Sequence, residues 1–566
     1  MRSGWAAKRW AASDGRDWRS HSRFASCTPA VVRENSFFRT IVFVLCFHTL
    51  ALGGCAHRPV ASHAHPPNRV ALDRIIDEVI ARYHLPGIAV GVISDSEIIY
   101  TRTSGELIAG SGQRVNADTL FKIASNSKAM TTGMLARLVD AGKLQWDDPV
   151  VEHLPAFRMS DPWVTREMQV RDLLIHNSGL RAGAGDLMLW PEPNSFTRAD
   201  IIAGLAHLQP IHSFRSRYSY DNLMYVVAGE LAAAAAGISY EDLVRREVFE
   251  PLGMTRCQLG EWNRDQVGNV AQPHMRQGDE NVVIRNDEQI ITASTSAAAG
   301  GIRCSLNDML TWMRMWLDPS LMSDRGEPWI SIAQRDALWA AQTPLSIAER
   351  QREWFNTRFS AYGFGWRLSD LDGVLSVAHT GTLAGMYSAL TLLPETKSGF
   401  VFLINGDAGE ARVVLTAALI KQFTEPQAAM PLAHYAEILV RDEQEETNAA
   451  PLPDTSSRVP ALLANFAQWL GIYRDPWFGE VTICANGERI VFSSAKSPRL
   501  KGDVMQVGER LLVDWYDEST PVEAWLHFAQ PEQNQSIELT MTKVDQRADF
   551  SYDYEDLAFT RIGDCP

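Results

Sequence analysis

Two residues one helical turn apart carry the clearest chemical potential in this chain. Ser125 and Lys128 stand in Phe121-Lys122-Ile123-Ala124-Ser125-Asn126-Ser127-Lys128, directly ahead of Met130, Met134, Leu135, Leu138 and Val139, whose spacing predicts a helix. A serine at a helix start and a lysine three residues on share one face and come within hydrogen-bond reach. A neutral amine there can take the hydroxyl proton and leave a nucleophile. Burial and the positive end of the helix dipole both favour the neutral amine. The spacing alone is weak, because it recurs at Ser493 and Lys496 in a β-rich stretch that reads as a surface strand.

Two further groups could complete a site. In Tyr218-Ser219-Tyr220-Asp221-Asn222, an extended or loop segment points Tyr220 and Asn222 the same way, so a phenol and a carboxamide can face one cleft; the competing reading is a surface loop whose Asn caps the next helix. In His379-Thr380-Gly381-Thr382, which leads into a strand after Gly385, Gly381 lets a ligand approach the backbone closely.

The elements that must position these groups follow from apolar spacing. Val70, Leu72, Ile75, Ile76, Val79, Ile80 and Tyr83 lie on one helix face that ends at Pro86-Gly87. Ile88 to Ile93 and Ile98 to Tyr100, separated by Ser94-Asp95-Ser96, predict a hairpin. Residues 125 to 320 are mostly helical in pattern, with an Ala-rich helix from Tyr225 to Ala236 closed by Gly237. Strands return at Gly363 to Leu368, Leu375 to Ala378, Tyr387 to Leu393 and Gly399 to Ile404, and residues 410 to 423 form an amphipathic helix. Strands at both ends of a helical middle predict an α+β fold, in which hairpin and late strands make one antiparallel sheet with the helical subdomain beside it. Glu425 to Pro460, rich in Pro, Ala and acidic residues, reads as a linker. Beyond it, eight β-like runs from Gly471 to Arg561 predict a small all-β, barrel-like domain. The expected division is 1–54 leader and signal peptide, 55–67 tether, 68–425 main domain, 426–460 linker and 461–566 β-domain.

Composition narrows the function classes. The 566 residues exceed one average domain, and 46% hydrophobic with 21% charged residues excludes a wholly disordered chain. A mean hydropathy of −0.15 excludes a polytopic membrane protein. Lys and Arg number 53 against 68 Asp and Glu, a net charge of −15 with no basic run, so nucleic acid is excluded as a partner. Ile41 to Leu52, preceded by Arg33 and Arg39, is too short to span a bilayer and has the length of a signal-peptide apolar region. It ends in Leu52-Gly53-Gly54-Cys55, which resembles a bacterial lipobox. Cys55 is therefore the expected lipidation site, and the protein is expected to be exported to the periplasm and anchored to the outer membrane by lipid. Translation is expected to start near Val31 or Val32, with Met1 to Ala30 disordered. His57, His63 and His65 lie in a Pro-rich tether without acidic or Cys partners, so no metal site is expected. Cys257, Cys304, Cys484 and Cys565 form no C-x-x-C pair; one disulfide is allowed and none is required.

Ser125-x-x-Lys128, Tyr220-x-Asn222 and His379-x-Gly381, in this order, resemble the serine β-lactamase and penicillin-binding-protein superfamily, in its class C-like branch of peptidases, esterases and β-lactamases. Leu173-Leu174-Ile175-His176-Asn177-Ser178-Gly179-Leu180, Pro251-Leu252-Gly253-Met254 and Ala299-Gly300-Gly301 with Ser305 and Asp308 extend the resemblance over residues 68 to 425. These last read as structural, with Ser305 and Asp308 a capping pair and His176 fixing a helix end. The resemblance implies Ser125 as the acyl-forming nucleophile, Lys128 as its base or the group that keeps the phenol ionised, and Tyr220 as proton carrier to the leaving group. It implies Asn222, His379, Thr380 and Gly381 as substrate-binding residues, backbone N–H groups of Ser125 and Thr382 as the oxyanion hole, and no cofactor. His379 replaces the lysine that β-lactamases carry for the substrate carboxylate, which weakens the fixed charge there. The expected function is an exported serine hydrolase acting on a small-molecule or peptide ester or amide. The alternatives are a β-lactamase or penicillin-binding DD-carboxypeptidase, and a catalytically silent cell-envelope or penicillin-sensing binding protein. Pocket walls are expected from Met188 to Thr197 and Gln272 to Ser296. The small β-domain, whose Gly471-Ile472-Tyr473-Arg474-Asp475-Pro476-Trp477-Phe478-Gly479 resembles one that follows this hydrolase domain in bacteria, reads as a passive packing partner in preference to a cover over the site.

Overall fold

The computed structural model describes residues 66–318, 320, 327–529 and 536–566. Cys55, the apolar leader and the tether histidines lie outside the described residues.

Asn68 caps the first helix, α1 (Arg69–Tyr83), by accepting from the N–H of Val70, and the buried face is Leu72, Ile75, Ile76 and Val79. The chain then makes the expected hairpin of β1 (Gly87–Ser94) and β2 (Glu97–Gly105). Its turn puts Asp95 and Ser96 at φ 50° and 65°, the twist a two-residue hairpin loop demands. Four more full strands follow late in the chain: β5 (Arg367–Leu371), β6 (Val374–Leu383), β7 (Met386–Leu393) and β8 (Ser398–Ile404), after the short β3 (Thr343–Pro344) and β4 (Ser360–Tyr362). The sheet order is β2-β1-β8-β7-β6-β5-β4-β3, antiparallel throughout, so the amino-terminal hairpin completes the sheet by pairing β1 with β8.

Both faces of this sheet are covered, which is why β7 and β8 are buried along their whole length and read as apolar runs. On one face lie α1 and α5 (Gly409–Thr424). On the other lies the helical subdomain, with α2 (Ser127–Asp140), α3 (Leu223–Ala236) and α4 (Leu306–Leu317). Gly91 of β1 admits the close approach of Leu310 on α4. Ser305 and Asp308 make a reciprocal capping box at the start of α4, and Gly237 ends α3 in the left-handed conformation at φ 72°.

Three details differ from the sequence expectation. The run Gly363 to Leu368 is not one strand: Gly365, at φ 78°, turns the chain between β4 and β5. The stretch expected as a linker contains an 18-residue helix, α6 (Leu432–Ala449), which buries Leu432, Tyr435, Ala436 and Ile438 and stacks Tyr435 edge-on against Trp354. Its Ala and Glu residues, read as linker composition, are good helix formers. There are two disulfides, Cys257–Cys304 and Cys484–Cys565, at separations of 47 and 81 residues that leave no local signal.

The carboxy-terminal domain is a closed eight-stranded up-and-down barrel of β9 (Gly471–Asp475), β10 (Gly479–Asn486), β11 (Arg489–Ser494), β12 (Lys501–Val507), β13 (Arg510–Trp515), β14 (Ala524–Ala529), β15 (Glu538–Lys543) and β16 (Ala558–Gly563). Each strand pairs antiparallel with the next, and β16 returns to β9, so no edge is left open. The barrel docks on the main domain. Phe478 packs against Phe196, Arg181 pairs with Asp556 at 3.1 Å, and Lys496 pairs with Asp200 at 2.9 Å. The second Ser-x-x-Lys spacing is therefore interface: Ser493 lies on β11 and Lys496 in the turn beyond it.

Candidate active site

Ser125 sits in a single 3-10 turn, Ala124–Asn126, that runs straight into α2. The turn is held hard. Ala124 adopts φ 49°, a left-handed value that a residue with a side chain keeps only when its surroundings enforce it. Ser388 on β7 supplies part of that enforcement, donating to the Ile123 carbonyl at 2.8 Å and accepting from Asn126 at 2.7 Å. Strand β6 supplies the rest: a Cβ on Gly381 would stand 2.2 Å from the Ile123 carbonyl oxygen and 2.3 Å from Ser388 Oγ. The absence of a side chain at Gly381 thus serves the packing of β6 against the serine turn.

Lys128, one turn along α2, is fully buried. Its Nζ lies 3.0 Å from Ser125 Oγ, 2.7 Å from Asn222 Oδ1 and 2.8 Å from the Ala299 carbonyl. Burial pushes the amine down to about 7, with the carboxyls of Asp186 and Asp221 opposing the shift and Arg367 adding to it. The Tyr220 hydroxyl donates to Ser125 Oγ at 2.9 Å. Burial pushes that phenol up to about 12, so it is neutral near pH 7. A base near neutrality and a protonated phenol therefore converge on one serine oxygen.

The residues flanking Tyr220 are gripped by the Leu173–Leu180 segment. His176, fully buried at φ 57°, accepts the Asp221 N–H at Nδ1 (3.0 Å), and its ring lies 4.3 Å from that of Tyr220. Burial holds its imidazole well below its usual range, so it stays neutral. Ser178 donates to Asp221 Oδ2 at 2.8 Å.

Two expected substrate-binding side chains are turned inward. Asn222 is 3% exposed; its oxygen accepts from Lys128 and its nitrogen donates to Asp186 Oδ2 at 2.8 Å, so both ends of the amide are committed. His379 is 2% exposed, with Tyr362 on Nε2 at 2.9 Å and the Thr380 carbonyl on Nδ1 at 2.8 Å. Strand alternation explains the second case: His379 and Gly381 are buried, while Thr380 and Thr382 lie on the more open side of β6.

Sequence reading missed three titratable groups. Arg367 on β5 donates to the Tyr218 hydroxyl at 3.1 Å, and its charge bears on Lys128, Tyr220 and His379. Arg412 on α5 donates to the Gly381 carbonyl at 2.7 Å and to Thr382 Oγ1 at 2.6 Å. The Thr382 N–H of the same planar peptide points the opposite way. The charge expected to be lost with the lysine at position 379 is therefore present on neighbouring elements, a non-local source with no sequence signal. The third is Asp186, whose preceding Gly183 and Gly185 take φ 75° and 74°; a Gly-Ala-Gly-Asp turn was its one visible hint. Of the expected pocket walls, the two loops are tied together by Ser294 Oγ donating to Glu192 at 2.6 Å. Among the described residues no cluster of His, Cys, Asp or Glu side chains is arranged to hold a metal ion.

Comparison with known proteins agrees with this geometry. The family profile described as Beta-lactamase matches residues 72–425. An unguisins hydrolase of Aspergillus campestris is 26% identical over 73% of this chain and 77% of its own length. Penicillin-binding protein 4 of Amycolatopsis lactamdurans is 27% identical over 61% of this chain and 85% of its own. The solved structure of the octameric penicillin-binding protein homologue from Pyrococcus abyssi shares the fold, with TM-score 0.53 and 17% identity, covering 87% of this chain and 99% of that one. With a matched region of this extent enclosing Ser125, Lys128 and Tyr220, the chain belongs to the Beta-lactamase family of serine hydrolases.

Proposed function

We propose that the protein is an exported serine hydrolase that forms and hydrolyses an acyl-enzyme on Ser125, acting on an ester or amide of a small molecule or peptide. The observation that carries this reading is the convergence of Lys128 Nζ and the Tyr220 hydroxyl on Ser125 Oγ, at 3.0 Å and 2.9 Å. As Oγ bonds to the substrate carbonyl carbon, its proton passes to the neutral amine of Lys128. Tyr220 gives its phenolic proton to the departing oxygen or nitrogen and is replenished from Lys128. Water then attacks the acyl carbon, its proton travels the reverse route, and Ser125 Oγ leaves protonated. The N–H groups of Ser125 and Thr382 receive the developing oxyanion, each contributing roughly 3 kcal/mol. Thr380 and Thr382 line the open side of β6 for the substrate backbone.

A β-lactamase or penicillin-binding DD-carboxypeptidase is the second reading, favoured by the Arg367 and Arg412 charges beside β6 and by the penicillin-binding name of one relative. Turnover of a p-nitrophenyl ester, a D-alanyl-D-alanine peptide and a chromogenic cephalosporin by the purified chain separates the two. Ester or peptide turnover that vanishes in Ser125→Ala supports the first reading, and cephalosporin turnover or stable penicillin acylation supports the second. No reaction with any of them, in folded protein, leaves an envelope-binding role.

Export with lipidation at Cys55 is part of the proposal, and the two disulfides, which form in oxidising compartments, support it. Wild-type protein is expected in the membrane fraction with a lipid-bearing amino-terminal Cys55; a wild type whose mass carries no lipid and a Cys55→Ser variant that fractionates as wild type does contradict the anchor.

A further inference from the structure

The turn that carries Asp186 is held from two sides, by Asn222 of its own domain and by the barrel. Asp186–Met188 is a single 3-10 turn whose N-cap residue, Gly185, has no side chain to cap it. The cap comes from the barrel: Asp553, fully buried, accepts the N–H groups of Gly185 and Leu187, the latter at 3.2 Å. Two residues earlier, Ser551 donates to Asp186 Oδ2 at 2.7 Å, the same oxygen that receives Asn222 Nδ2. One residue before that, Phe550 meets the Tyr220 ring edge-on at 5.7 Å and packs on Gly183, where a Cβ would stand 2.6 Å from the Phe550 carbonyl. These groups all lie on the 14-residue connection between β15 and β16, residues 544–557, whose buried Tyr554 anchors it to the Val522 carbonyl at 2.9 Å.

The consequence runs along a chain of single hydrogen bonds. Burial pushes the Asp186 carboxyl well above its usual range, and the bonds from Ser551 and Asn222 oppose that shift; both bonds fall on Oδ2, which accepts them, so Asn222 turns its NH2 toward Asp186 and its oxygen toward Lys128. Were Asn222 flipped, its NH2 would face the lysine amine and the 2.7 Å contact would be lost. In its ionised form Asp186 also favours the protonated lysine. The other groups facing this pair are Asp221, Asp553, Asp556 with its partner Arg181, Arg367, and the neutral rings of His176, His379, Tyr220 and Tyr225.

We propose that the 544–557 connection of the barrel is a working part of the active site, with Ser551 and Asp553 as positioning residues that act through Asp186 and Asn222 to set the orientation and basicity of Lys128. The barrel then tunes the catalytic base rather than merely packing beside the hydrolase domain. This rests on the serine-hydrolase reading above.

The test is the second-order rate of fluorophosphonate labelling of Ser125 in the full chain, followed from pH 5 to 9. The variants are Ser551→Ala, Ser551→Thr, Asp186→Asn and the Ser551→Ala/Asp186→Asn double. Ser551→Ala is expected to slow labelling roughly 10-fold, as misplacement of a reacting group does. It also removes a bond that stabilises ionised Asp186. Lys128 then loses supporting negative charge, its pKa falls, and the acid limb of the rate profile moves to lower pH. Asp186→Asn moves it further the same way, Ser551→Thr restores the wild-type profile, and the double variant is no slower than Asp186→Asn alone. Wild-type rate and midpoint in Ser551→Ala overturn the proposal, as does a loss that leaves the midpoint in place or adds fully to that of Asp186→Asn. Absence of labelling in the wild type itself defeats the hydrolase reading instead.

Discussion

At the scale of single residues, the site depends on an amine that the fold keeps near neutrality. With Lys128 held at about 7, the acylation rate is expected to rise with pH through about 7 and then level, and Lys128→Met should cut it by roughly 10²- to 10⁴-fold, the usual worth of a positioned base. Stopped-flow release of p-nitrophenol reads both. The same depression has a stability sign. The unfolded lysine holds its proton up to a pH near 10.5, whereas the folded one gives it up near 7, so between those values the unfolded state binds more protons and stability rises with pH. Wild type should therefore gain on Lys128→Met by at most about 1.4 kcal/mol per pH unit from pH 7 to 9, in urea titrations at each pH. A difference that shrinks as pH rises contradicts a buried, neutralised Lys128. The Ser125 to Lys128 contact was legible because helix geometry turns that spacing into proximity, whereas the joining of Tyr220 to the pair, across 95 positions, was legible only through the resemblance of the three motifs in order to a known family. Asp186, Arg367 and Arg412 were not legible, since each reaches the site from a separate element. The substrate-binding roles expected for Asn222 and His379 rested on the family resemblance, and both side chains are buried with their polar atoms bonded to protein groups.

At the scale of elements, β6 and the serine turn form one packed unit. Gly381→Ala is expected to push the turn away from β6. A Cβ there meets the Ile123 carbonyl and Ser388 Oγ, neither of which can retreat without disturbing Ala124 and Asn126. Labelling of Ser125 should fall by roughly 100-fold, with a Tm drop of roughly 3–8 °C. An unchanged labelling rate would show that β6 does not hold the turn. The Cys257–Cys304 disulfide acts on the same unit, because Cys304 pairs with Phe121 just ahead of Ser125. Replacing both cysteines by serine should cost roughly 2–4 kcal/mol in denaturant unfolding. The element pattern was readable where periodicity was strong, as in α1, the hairpin, β7, β8 and the eight barrel runs. It failed at Gly365, where a left-handed turn hides inside an apolar run. It failed also at α6, where the buried positions Leu432, Tyr435, Ala436 and Ile438 are set among flanking prolines and acidic residues that imitate a linker.

At the scale of the whole molecule, sheet domain and barrel share one apolar core that runs from Leu187, Phe196 and Leu205 into Trp477 and Phe478. Gly204 lets Trp477 approach to contact, and the polar rim of Lys496 with Asp200 and Arg181 with Asp556 closes around it. The two domains are therefore expected to unfold in one calorimetric transition, and two well-separated transitions would show that the shared core does not couple them. No sequence signal pointed to this coupling: residues 544–557 read as a connection within the barrel, and their approach to Gly185 and Asp186 is a tertiary contact across more than 350 positions. What unites the three scales is that Ser125 is reached from several elements: by Lys128 on α2, by Tyr220 ahead of α3, by β6 and β7 through Gly381 and Ser388, and by the barrel through Phe550 against Tyr220. The most direct measurement is intact mass of the purified chain after exposure to a fluorophosphonate and, separately, to a penicillin, in wild type and Ser125→Ala, with the adduct located by peptide mapping. The account predicts one fluorophosphonate adduct per chain, on Ser125, and none in the alanine variant. A folded wild type that takes up no adduct, or an adduct that persists in Ser125→Ala, would contradict it.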